Sequence, residues 1–132
     1  MSNKASEQIF AAFLHWLKNF HAAVMAEEAE GLRRLQDDDT AGYAAQMRKK
    51  AELLAGLAEE GRAHLQGLPG ELRFNLALSL ERFSASAATA LRLNSVFYMS
   101  ALLYPDEHKA GEADNLSLCI ERMEREGAEY RH

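Results

Sequence analysis

Phe10-Ala11-Ala12-Phe13-Leu14-His15-Trp16-Leu17-Lys18-Asn19-Phe20 decides the fold class. Phe10, Leu14 and Leu17 recur at spacings of four and three, and Phe13 and Phe20 widen the same stripe. That is one apolar face of a helix, and it lacks the alternation of a strand. Followed outward, the pattern starts at Ser6, a candidate N-cap, and continues through Val24, Leu32 and Leu35 to Gln36. It predicts a helix about 45 Å long. Gly31 weakens that helix by about 1 kcal/mol relative to Ala without ending it. Asp37-Asp38-Asp39-Thr40 is the stop: acids are poor at a helix C-terminus and good at the N-terminus of the next helix.

Two further long stripes follow. Tyr43, Met47, Leu54, Leu57 and Leu65 predict a second helix over 41–66, with Ala51, Ala58 and Gly61 leaving room for a close neighbour. Gly67-Leu68-Pro69-Gly70 breaks it, and Pro69 suits a first helical position because its missing N–H costs nothing there. The third helix is predicted over 69–103. Its main face is Leu72, Leu76, Leu80, Phe83, Ala87, Leu91, Asn94, Tyr98 and Leu102, and Leu78, Leu93, Val96, Phe97 and Leu103 lie off it. Apolar residues on two faces imply deep burial or a partner surface. Arg92 and several hydroxyl residues argue against membrane insertion of this stretch. Pro105 to Gly111 reads as a polar linker. Leu116, Cys119, Ile120 and Met123 then stripe a short helix over 116–126, capped by Asp114 or Asn115. About eleven residues do not hold a helix alone, so this segment needs a host, either its own bundle or another protein. The expectation is an all-α antiparallel bundle of three long helices over 1–104, with a polar linker and a short amphipathic C-terminal helix over 105–132.

The chain has 132 residues, within single-domain size, and a net charge of −5. Acids concentrate at 26–39 and 105–132, and no basic stripe is present to meet phosphates, which argues against nucleic acid. Cys119 is the only cysteine, so no internal disulfide is available and a reducing compartment is expected. The opening run is broken by His15, Lys18, Asn19 and His21, unlike a signal peptide.

Catalytic patterns are sparse. A di-iron bundle needs two Glu-x-x-His motifs, and the sequence does not supply two, its one instance being Glu129 with His132; Glu60 and His64 are spaced as an ordinary surface pair on one helix face. His15 and His21 point to different faces. Cys119 sits on an apolar stripe, where a buried thiol is expected. No Gly-rich phosphate loop and no serine-centred motif is present. The reading is a protein without catalytic activity and without a cofactor.

One stretch is familiar. Val24-Met25-Ala26-Glu27-Glu28-Ala29-Glu30-Gly31-Leu32 is followed by Asp37-Asp38-Asp39, then Lys49-Lys50-Ala51-Glu52-Leu53-Leu54-Ala55-Gly56-Leu57 and Arg62. This resembles FlgN-type flagellar export chaperones: an acidic E-E-x-x-x-L helix end, a polar turn, then K-x-x-L-L-x-x-L and an Arg. Leu93-Asn94-Ser95-Val96-Phe97 is similar to that family's N-G-x-L segment, with Ser95 in place of the Gly. The resemblance covers roughly 20–103. It implies a cytoplasmic helical chaperone that holds hook-associated subunits and delivers them to the export apparatus. It also implies that the C-terminal region grips the client, here Leu116, Cys119, Ile120 and Met123, with Leu93 and Phe97 as further contacts. The alternative from the residues alone is a structural or regulatory bundle that forms a homodimer through its third helix, where 84–90 are all Ser, Ala or Thr.

Overall fold

A computed structural model describes residues 4–130, and all regular structure among them is helical. The first three residues and the last two, which end the predicted tail, lie outside the described residues.

Helix α1, Lys4–Gln36, is the central element. Its stripe is buried as expected at Phe10, Phe13, Leu14, Leu17, Phe20 and Val24, whereas Leu32 and Leu35 are exposed near its end. Asp38 closes the turn with a positive φ of 62°, and Asp39 caps helix α2, Thr40–Ala55, by accepting from the Gly42 N–H at 2.8 Å.

The predicted second helix is divided. Helix α3, Leu57–Leu65, begins after Gly56. The Gly56 N–H still reaches Glu52 O and Leu53 O, so the path kinks without folding back. The cause is a side chain from another helix. Ser84 Oγ accepts from the Ala58 N–H at 3.0 Å and donates to Leu54 O at 2.9 Å, entering the hydrogen-bond ladder at the break. Gly61, beyond the kink, packs closely: a Cβ there would lie 2.4 Å from Leu80 Cδ1.

The predicted third helix is also shorter. Helix α4, Gly70–Arg92, stops where Asn94 takes a positive φ of 52°, a left-handed C-terminal residue of the kind Asn tolerates. Arg48 donates to the Asn94 side-chain oxygen and fixes the corner. Ser95 caps helix α5, Val96–Ala101, through the Tyr98 N–H. Asn94 and Tyr98 therefore do not continue the buried face of α4.

After a strap over 102–114, helix α6, Asn115–Tyr130, is longer than predicted and packs on its own bundle. The pairings set the layout. Glu28 meets Lys50, Trp16 meets His64, and Ile9 meets Gly67, so α2 and α3 run antiparallel to α1. His21 meets Asp114, Lys18 meets Glu124, and Phe10 meets Gly127, so α6 also runs antiparallel to α1. Leu116, Cys119, Ile120 and Met123 join Phe10, Phe13, Leu17, Leu54 and Leu80 in one core. That core crosses the expected boundary at residue 104. A smaller cluster, Met47, Ala51, Ala90 and Met99, seats α5. No helix among the described residues is long and apolar enough to cross a membrane.

Candidate functional site

Helices α4 and α6 flank a trough whose floor comes from the core. Its first part, about 450 Å³, is lined by Ser79, Phe83 and Ser86 of α4, Leu102 and Leu103 of the strap, and Leu118, Cys119 and Arg122 of α6, with Arg82 at the rim. Its second part, about 550 Å³, shares Ser86, Leu102, Leu103 and Asn115 with the first and continues past Ala90 to Leu93 and Tyr98. The two parts adjoin through those shared residues, and their lining mixes apolar side chains with Ser79, Ser86, Asn115 and Arg122. Leu118, Leu93 and Tyr98 stand exposed along it. Phe97, 74 % exposed, projects from the adjoining corner with its ring edge against Tyr98. Single exposed apolar side chains are ordinary, but several lining one concavity mark a place where a partner is held.

The predicted contact residues divide into two sets. Leu93 and Phe97 are exposed at the end of the trough. Leu116, Ile120 and Met123 are buried and dock α6 onto α1, so they present no free face to a client, and Cys119, also buried, reaches the trough only as part of its lining. The amphipathic stripe was read correctly, but what covers it is the chain's own core. Burial pushes the Cys119 thiol pKa up, more than the nearby Arg122 lowers it. The sulfur is held as the thiol, a poor nucleophile.

Behind the trough lies a buried polar cluster that sequence spacing did not reveal. Lys50 is 0 % exposed, yet its Nζ lies 2.6 Å from Glu28 Oε1, donates to Ser100 O at 3.0 Å, and sits 5.0 Å from the centre of the Tyr104 ring. The Tyr104 hydroxyl donates to the other oxygen of Glu28. Burial pushes the Lys50 pKa down, and Glu28 offsets part of that shift. Burial and the Glu28 carboxylate both push the Tyr104 pKa up. A signal was present: Lys50 is three residues after Met47 and four before Leu54, on the buried face, where a charge must have a partner.

Asp114, also buried, caps α6 by accepting from Leu116 N–H at 2.9 Å and Ser117 N–H at 3.0 Å. Its second oxygen is 2.8 Å from His21 Nε2. Burial pushes its carboxyl pKa up, but the His21 contact and the two backbone donors outweigh this and hold it below the ordinary value. Ser117 Oγ contacts the same Nε2 at 3.2 Å. Aspartate and serine thus share one ring nitrogen. A nucleophilic triad needs them on opposite nitrogens, with the ring passing the proton between them. This group therefore fastens α6 to α1.

His64 stacks on Trp16, with ring centres 4.5 Å apart. Among the described residues no three His, Cys, Asp or Glu side chains converge to hold a metal ion. No protein-family model, no curated protein and no solved structure matches this chain significantly.

Proposed function

We infer that this protein holds another protein without chemical change, acting as a cytoplasmic export chaperone of the FlgN type for hook-associated flagellar subunits. The observation that carries the reading is the trough between α4 and α6, along which Leu93, Tyr98 and Leu118 stand exposed. Exposed apolar side chains beside polar ones along it suit one amphipathic helix. The client contacts are therefore Leu93, Phe97, Tyr98 and Leu118. The resemblance gains support from a pairing in space. Glu28, from the acidic helix end, and Lys50, which opens the K-x-x-L-L-x-x-L run, meet as the buried ion pair behind the trough. Taken as one kinked helix, α2 and α3 with α1, α4 and the covering α6 would supply the base such a chaperone needs. Delivery to the export apparatus follows from the resemblance.

The test is calorimetric titration with helical end segments of hook-associated subunits. Leu93→Asp and Leu118→Asp change exposed positions, so the melting temperature should hold while affinity falls about tenfold or more. Unaltered affinity in both variants would place the client elsewhere. Absence of binding by every hook-associated subunit would remove the chaperone assignment.

A further inference from the structure

The outward face of α4 adjoins the trough, with Arg82 and Thr89 at their shared edge, and is centred on residues that do not line it. Phe74 is 66 % exposed and Leu78 39 % exposed, and about two and three helical turns beyond Leu78 the same face carries Ala85 and Thr89. These positions turn away from Leu76, Leu80 and Ala87, which face the core. Midway between them stand Glu81 and Arg82, both exposed, with no ion pair or hydrogen bond to another side chain among the described residues. The face is large and apolar in its first half, small in its second half, and carries one acid beside one base at its centre.

We propose that a second copy of this chain docks on this face, α4 against α4 in antiparallel orientation, about a two-fold axis passing between Glu81 and Arg82. Leu78 and Ala85 lie equally far in sequence from that midpoint, as do Phe74 and Thr89. The axis therefore sets each large side chain over a small one of the other copy, and each Glu81 against the other copy's Arg82. One operator satisfies both the shape and the charge, as an isologous contact requires. A partner of uniform charge would leave Glu81 or Arg82 unpaired, whereas this surface carries both halves of its own complement. The contact is limited to one helix of 23 residues, about 34 Å long. A contact of that size belongs to the weak end of the range, so the dimer forms reversibly at micromolar concentration.

Sedimentation equilibrium of the full chain between about 1 and 200 μM tests this, because a weak dimer reveals itself by its concentration dependence. The wild type should pass from monomer to dimer across that range. Glu81→Arg and Arg82→Glu should each weaken association about tenfold or more, since each sets like charges face to face. Glu81→Arg combined with Arg82→Glu should restore it. Leu78→Asp should leave a monomer. All four variants should melt like the wild type, because none of these side chains is in the core. A wild type that stays monomeric throughout overturns the proposal, and so does a dimer indifferent to the single charge reversals or unrescued by the double reversal. Leu93→Asp should dimerise normally, and Leu78→Asp, which lies outside the trough lining, should leave the trough intact, so failure of this contact and failure of the trough are read separately.

Discussion

Breaking the Glu28–Lys50 pair should cost far more than deleting it whole. Glu28→Gln removes the carboxylate charge and leaves the buried Lys50 ammonium in contact with neutral groups only: the amide, Ser100 O and the Tyr104 ring face. A stranded buried charge of this kind costs about 3–5 kcal/mol. Lys50→Met strands the Glu28 carboxylate instead, but that side chain is 16 % exposed and keeps the Tyr104 hydroxyl. Its cost should be smaller, about 2–3 kcal/mol. Glu28→Gln with Lys50→Met strands nothing, because the amide oxygen still accepts from Tyr104 and Met fills the stem's space. That variant should lie within about 1 kcal/mol of the wild type. For a chain of this size each kcal/mol is worth about 3–5 °C. Melts at pH 7 should thus show losses of roughly 10–20 °C and 6–15 °C for the single changes and a few degrees for the double. The pH dependence follows from the lowered Lys50 pKa. Above its folded value and below the ordinary 10.5, the unfolded chain binds the extra proton, so stability rises with pH in that window. Losing Glu28 lowers the folded pKa further, so the Glu28→Gln deficit should narrow as pH rises toward 10. The raised Tyr104 pKa acts in the opposite sense, and its contribution falls once pH exceeds the phenol's ordinary 10.0. Additive losses in the double variant, or a deficit that widens with pH, would refute the assignment of Lys50 as a buried, paired cation.

Three other outcomes are expected. Ser84→Ala leaves the Ala58 N–H and Leu54 O without their shared partner at the α2–α3 kink, and urea titration should register a loss of about 1–3 kcal/mol. Asp114→Ala removes the cap of α6 and should cost about 1–2 kcal/mol. Asp114→Asn should spare the cap but abolish an acid step: the lowered carboxyl pKa stabilises above its ordinary 3.8 and is lost as pH falls through the folded value, which hydrogen exchange in α6 would follow. Gly127→Val places a Cβ 2.1 Å from the Phe10 ring, and a thermal melt should show about 1–3 kcal/mol of overpacking.

The apolar faces were legible because period alone defines them. Phe10, Leu14, Leu17 and Val24, then Met47, Leu54 and Leu65, then Leu76 and Leu80, are buried as the spacing implied. The interruptions were not legible, because each depends on a group distant in sequence. Gly56 ends α2 because Ser84 arrives with a hydroxyl, and Asn94 ends α4 in a left-handed conformation held by Arg48. Leu32 and Leu35 fit the stripe of α1, yet they pass beyond the reach of the elements that cover it. The α6 stripe carried the same ambiguity in reverse. Spacing identifies a face that must be covered and says nothing of whether the cover is the same chain. The candidate trough was half legible: Leu93 and Phe97 stood out as apolar residues off the main face, whereas Leu118 and Tyr98 gained meaning only once α6 and α5 had places.

The docking of α6 also changes what part of it faces a partner. Four side chains of one stripe are buried, each worth about 1.5–3 kcal/mol. Their sum is comparable to the whole stability of a domain this size. Removing 112–132 would expose Phe10 and Leu17 and unfold the core, so loss of client binding on truncation would say nothing about contact. The stripe that sequence assigned to gripping a client fixes the helix instead, and by fixing it turns Leu118 and Arg122 toward α4. The trough exists because α6 rests on α1 and leaves the α4 flank at Ser79 and Ser86 uncovered. Substituting Leu118, which bears no share of the core, therefore separates the binding role proposed for α6 from its structural one.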